Sequence, residues 1–245
     1  INSDGSFKHS AFIPVTGTDI TIEVTDLAGL QTSKTLSISR KASQISNAIV
    51  YDKLNPLNFR VAKNKDALAL IVGIESYKST PASAAFADKD ALVFQDYATE
   101  KLGIPAKRIK VMVNENADEQ GVLLAVQDWL GRLVKNNKSD IYIFFAGHGL
   151  ASDDGEDMYL LPYDGSPRLL SKTAILRQEL FNDVARFNPR SVTVFLDTCY
   201  SGTTRGTDML IASRPIAIKA IKSAIPNNFT VFSAAGGDQT SKPLN

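Results

Sequence analysis

The 245 residues include a single cysteine, Cys199, and only two histidines, His9 and His148. One cysteine excludes an intrachain disulfide and any metal site built from several thiolates, and it leaves the redox compartment open. Neither sign of charge is in surplus. Twenty-seven basic residues stand against 26 acidic ones, a net +1, which gives no general field for nucleic acid or an anionic membrane surface. No apolar run approaches the roughly 18 residues of a membrane span, and the opening residues lack the layout of a signal peptide. The chain begins at Ile1 rather than Met, which reads as a fragment and leaves a removed targeting segment open. What remains is ordinary for a globular chain, 44% hydrophobic and 22% charged. That is ample for the core of one large α/β domain, or of one domain with an appendage.

The texture changes near residue 42. Before it, "FKHSAFIPV", "DITIEVTDLAG" and "KTLSISR" alternate in short stretches punctuated by Gly5, Gly17 and Gly29, a β-hairpin pattern without helical period. About three strands in some 40 residues are too few for an independent sandwich. Residues 1–42 therefore read either as the last strands of a module similar to bacterial immunoglobulin-like domains or as a β extension of the main domain. In either case they are a candidate surface for a protein partner. The first alternative implies an extracytoplasmic location and the second a cytoplasmic one. Residues 43–64 carry little periodicity and read as a connector.

From residue 65 to 245, strand patterns alternate with helical ones. "ALALIVGI" (67–74) is a continuous apolar run suited to a strand covered on both faces. A helix is predicted from Asp88 to Leu102, closed by Gly103 and Pro105, followed by a strand at 108–113. Val122, Val126, Leu130, Leu133 and Val134 then mark one side of a helix containing Trp129. A strand ending at His148, a hairpin around Tyr159 to Pro162, a helix near Ile175 to Phe187, and strands at 192–198 and 229–235 complete the order. The fold class is α/β, a mainly parallel sheet flanked by helices, with a small all-β segment in front.

Two strand patterns end on unusual residues: "IYIFFAGHG" on His148 between two glycines, and "VTVFLDTCYSG" on Cys199. In parallel sheets, ligands bind beyond the carboxyl ends of the strands. If these two strands are neighbours, their tips lie within side-chain reach. An imidazole that takes the proton of a thiol near pKa 8.5 creates the attacking thiolate. Gly149 permits close backbone approach, and its N–H together with that of Cys199 can bind the oxyanion of an attacked carbonyl.

The motifs "LIVGIESY", "FADKDA", "FFAGHG", "YLLPYD", "DTCYSG" and "SAAGGDQTS" resemble those of the caspase-like cysteine peptidases, closest to metacaspases and their bacterial relatives. The interval of 51 residues from His148 to Cys199 is similar to the roughly 50 of caspase-type enzymes. The resemblance implies a caspase-hemoglobinase fold and an endopeptidase with Cys199 as nucleophile, His148 as general base and acid, and an oxyanion hole from Gly149 and Cys199. It also implies cleavage after Arg or Lys, with Asp90 and Asp197 holding the basic side chain, as a desolvated carboxylate does. Asp88 and Asp90 read equally as helix-start residues that cap N–H groups. "SDDGED" (152–157) reads as a solvated turn, with calcium as the alternative; the sequence requires no cofactor. A basic connection at 202–228 carries Arg205, Arg214, Lys219 and Lys222 as candidates for self-cleavage, the two lysines favoured because Arg205 lies so close to Cys199 and Pro215 follows Arg214. The resemblance implies further strands beyond residue 245. The competing function is a catalytically silent homologue acting as a signalling or scaffold module.

Overall fold

The computed structural model describes residues 18–25, 28–38, 56, 61–152, 154–198 and 225–234. The chain divides into two units, Ile1–Lys53 and Leu54–Asn245. In the first, β1 (Thr18–Thr25) and β2 (Gln31–Ile38) form an antiparallel hairpin with Thr25 opposite Gln31. The hydroxyls of Thr21 and Thr35 meet across it at 2.9 Å. The expected strand at "FKHSAFIPV" lies outside the described residues.

The second unit is built on a five-stranded parallel sheet, β3 (Leu68–Gly73), β4 (Ile109–Val113), β5 (Asp140–Ala146), β9 (Ser191–Asp197) and β10 (Phe229–Ser233), in the order β10-β9-β5-β3-β4. All six residues of β3 are buried, as the unbroken apolar run at 67–74 requires of a strand covered on both faces. Because β4 and β5 lie on opposite sides of β3, the strand order reverses there, at the carboxyl ends of β3 and β5. That is the usual ligand position in such sheets.

One face carries α1 (Ala87–Glu100). Gly73 makes that packing possible: a Cβ there would stand 2.4 Å from the Ala87 carbonyl oxygen and 2.5 Å from the Ala91 Cβ. Phe94 of α1 stacks on Phe144 of β5 and touches Phe195 of β9. The other face is covered by α5 (Arg177–Ala185) and by a helical run from α2 (Glu119–Leu124) to α3 (Gly131–Leu133), joined by a π-helical turn at Ala125–Leu130. Steps of four between Val122, Val126 and Leu130 drift around a 3.6-residue helix, and the wider π turn keeps them together on the buried side.

β6 (Gly149–Ala151), β7 (Met158–Leu160) and β8 (Ile175–Leu176) form a second small sheet. The hairpin expected at 159–162 is thus β6–β7 and turns earlier, at 152–157, because Tyr159 pairs with Leu150 as a strand residue. The short α4 (Leu170–Thr173) precedes β8. Residues expected to belong to the connector join the second unit: Val61 N–H bonds to the Glu100 carbonyl and Asn64 N–H to that of Gly103.

Asp140 at the start of β5 is nearly buried and anchors the lower edge of the sheet. It accepts bonds from Arg190, Ser191 and Asn64. The Arg190 guanidinium holds its carboxyl at about 2, with Ser191 and Asn64 helping and burial opposing. The folded value lies below the ordinary 3.8, so the stabilisation is complete above about pH 4 and is lost as pH falls toward 2. Arg190 is more than half exposed, which limits the contribution to about 1–2 kcal/mol. Urea unfolding of Asp140→Asn beside the wild type at pH 7, 4 and 2.5 should show the difference between the two shrinking as the pH falls. A difference independent of pH would remove this assignment.

Candidate active site

The sheet register sets the geometry. β5 and β9 are adjacent and parallel, and Ala146 is paired with Asp197. His148 stands two residues beyond Ala146, and Cys199 follows two residues beyond Asp197. Neighbouring strands lie about 4.8 Å apart, so equal steps from a paired row begin side by side. Cys199 itself lies outside the described residues.

His148 is almost fully buried. Its backbone N–H donates to the Tyr77 hydroxyl at 2.7 Å, and the Tyr77 ring stacks on the imidazole with centroids 4.7 Å apart. Nε2 lies 3.1 Å from the Ala82 carbonyl oxygen. A carbonyl only accepts, so Nε2 carries the hydrogen and Nδ1 is the basic nitrogen of the neutral ring. Tyr77 reaches this position because Gly147 adopts φ +154°, and a Cβ there would stand 2.7 Å from the Tyr77 hydroxyl.

Tyr77 and Ala82 both belong to the loop after β3, which Ala84 N–H closes by bonding to the Glu75 carbonyl at 2.9 Å. Asn114, at the end of β4, takes the N–H groups of Glu75 and Ser76 on its side-chain oxygen and donates its amide to Asp88. The Glu75 carboxyl is raised above its usual range, chiefly by its hydrogen bond to Asp88, with burial adding to the shift. Burial pushes Asp88 up as well, but bonds from Glu75, the Lys89 N–H and Asn114 outweigh it and hold Asp88 low. The contact between these two carboxyls, with the Asn114 amide, ties β3, β4 and α1 together at the base of the loop that grips His148.

Gly149 pairs with Leu160, and the bond from Leu161 N–H to the His148 carbonyl makes this a non-hydrogen-bonded pair. The Gly149 N–H therefore points out of the β6–β7 ladder, toward the open edge of β6.

Asp88 and Asp90 separate by helix geometry. Two positions along α1 are about 200° around the axis, and Asp88 faces Asn114 at the β4 side, where it also takes the Lys89 N–H at 2.7 Å. Asp90 is turned the other way, toward β9. It precedes Phe94 by one turn, and Phe94 contacts Phe195, which precedes Asp197 by two residues. Four helical residues rise about 6 Å and two strand residues about 6.6 Å. The two carboxylates thus extend from the same ring contact toward the same end of the sheet, on the same face. Thr198 is fully buried, with no partner for its hydroxyl among the described residues.

A cavity of about 440 Å³ between α2 and α5 lies under the opposite face, away from Asp90 and Asp197. In the "SDDGED" turn, Asp154 accepts from the Ser152 hydroxyl and the Glu156 N–H, while Asp153 lies outside the described residues. Among the described residues no three His, Cys, Asp or Glu side chains cluster as a metal site would require. Arg205, Arg214, Lys219 and Lys222 also lie outside the described residues. The sequence reading missed Tyr77, Asn114 and the Ala82 carbonyl. Only the tyrosine in "GIESY" left any mark in sequence, and a carbonyl leaves none.

No helix among the described residues is long and apolar enough to cross a membrane. A comparison with curated proteins returns no match. A crystal structure of a protein from Geobacter sulfurreducens is similar at 20% identity and a TM-score of 0.46, over 56% of this chain and 52% of that one, so this chain spans about half the length of that relative. The caspase domain family matches residues 66–242. With a parallel sheet flanked by helices and a family match over most of its length, the chain belongs to the caspase-domain family of cysteine peptidases.

Proposed function

We propose that the chain is a cysteine endopeptidase, closest to the metacaspase branch, that cuts protein substrates after Arg or Lys. The observation that carries this reading is the pairing of Ala146 with Asp197 on adjacent strands, with His148 and Cys199 each two residues further along the sequence. In the proposed reaction, His148 Nδ1 takes the Cys199 proton and the thiolate attacks the scissile carbonyl. The resulting oxyanion is held by the N–H groups of Gly149 and Cys199, and the imidazolium then protonates the leaving amine. Water, activated by the same imidazole, hydrolyses the thioester. The Ala82 carbonyl supports this cycle by holding the Nε2 hydrogen, and the Tyr77 stack keeps the plane of the ring fixed.

The matched extension of Asp90 and Asp197 supports basic specificity, because paired carboxylates attract a guanidinium or ammonium and repel an acidic side chain. Self-processing within 203–228, at Lys219 or Lys222 ahead of Arg214 and Arg205, follows from the same preference acting on a tethered basic segment. Calcium remains a candidate activator through the 152–157 turn. Residues 1–42 remain a candidate partner surface.

The test is hydrolysis of peptides ending in Arg, Lys, Asp and Asn, with and without calcium, with amino-terminal sequencing of any new fragment. Arg and Lys peptides should be cut, and Asp197→Ala should reduce their turnover by on the order of 10² while leaving thiol alkylation at Cys199 intact. If the variant also loses alkylation, Asp197 supports the nucleophile rather than the substrate.

A further inference from the structure

Phe86 immediately precedes α1 and holds φ +70°, left-handed backbone that a bulky side chain rarely adopts. The residue is 51% exposed, so core packing does not account for the strain, and its side chain makes no capping bond. Glycine would take this conformation without cost. Backbone strain of this kind collects where substrates are held. Phe86 lies one turn before Asp90, whose N–H bonds to the Phe86 carbonyl at 2.8 Å, and four residues after the carbonyl that grips His148. One face of the ring already receives a cation: Lys89 Nζ stands 5.1 Å from its centroid.

We propose that Phe86 is a substrate-binding residue, the aromatic wall of the pocket for the basic side chain, against which the methylene stem packs and the cationic head stacks. This deepens the proposed basic specificity and rests on it. Asp90 and Asp197 supply charge, while Phe86 supplies the apolar and π surface, which suits a planar guanidinium better than a compact ammonium. The wall therefore sets a preference for Arg over Lys.

The experiment measures binding of Arg- and Lys-ending peptides to Cys199→Ala protein, which leaves them uncut, with Phe86 intact or replaced by Gly, Leu or Tyr. Phe86→Gly and Phe86→Leu should weaken Arg-peptide binding about tenfold and erase the Arg-over-Lys preference, and Phe86→Tyr should restore both. The same losses should appear in KM rather than kcat when Cys199 is present. Phe86→Gly should melt no lower than its parent, since glycine relieves the backbone, which separates lost contact from lost fold. Equal Arg-peptide binding with and without the ring overturns the role of Phe86 alone. Binding of neither peptide by the Phe86-containing protein overturns basic specificity, and this inference with it.

Discussion

Cys199→Ala should abolish peptide hydrolysis, by on the order of 10⁴ or more, and His148→Ala should come close to it. The double variant should be no worse than either alone, because members of one catalytic unit fail together. Folding should survive both changes. The bond to Tyr77 uses the His148 backbone N–H, which alanine keeps, so loss of activity in His148→Ala with an unchanged melting curve isolates the imidazole. Alkylation gives a second reading. At pH 6–7 a thiol is reactive only as thiolate, so a small haloacetamide should label Cys199 much faster in wild type than in His148→Ala. Hydrolysis by well-folded Cys199→Ala protein, or equal labelling rates in the two, would sink the dyad.

Gly147→Ala should lower kcat by about 10² although Gly147 carries no chemistry. Alanine is strained at φ +154°, and its Cβ would lie 2.7 Å from the Tyr77 hydroxyl and 3.2 Å from the Phe145 ring. Tyr77 has to move, and the imidazole stacked on it is no longer held in its plane, which turns Nδ1 from the direction in which it would take the thiol proton. A displacement near 1 Å at a catalytic group is worth about that factor. The strain itself costs about 1–3 kcal/mol of stability. Tyr77→Phe should separate the two effects. It removes the colliding oxygen but leaves the His148 N–H without its acceptor, at about 1–3 kcal/mol. The double variant Gly147→Ala with Tyr77→Phe should therefore recover part of the kcat lost by Gly147→Ala. Activity and melting temperature at wild-type levels in Gly147→Ala would show that the Tyr77 contact does not position His148.

The strands of the central sheet and the residue types at their ends were legible in the local pattern, whereas β8 at Ile175–Leu176 falls where a helix was expected. A run such as Leu68–Gly73 has few alternatives when every side chain is apolar and its flanks are polar. The interval from His148 to Cys199, and the motifs around each, also identified the family that the match over 66–242 bears out. Helix ends were legible only to within a residue or two: α1 ends at Glu100 rather than Leu102. The reason is local, since the chain closes through Leu102 N–H bonding back to Tyr97.

Tertiary structure alone decided which strands are neighbours and in what register. Pairing of Ala146 with Asp197 joins residues 51 apart, and no periodicity within either strand encodes a partner in the other. It also decided that Asp88 turns to β4 and Asp90 toward β9, because α1 crosses the sheet over Gly73 with Phe94 against Phe195. The grip on His148 comes from Tyr77 and Ala82, 71 and 66 residues away in the chain. One of the two grips through a backbone carbonyl, a group every residue carries, so only the folded path of the chain distinguishes it.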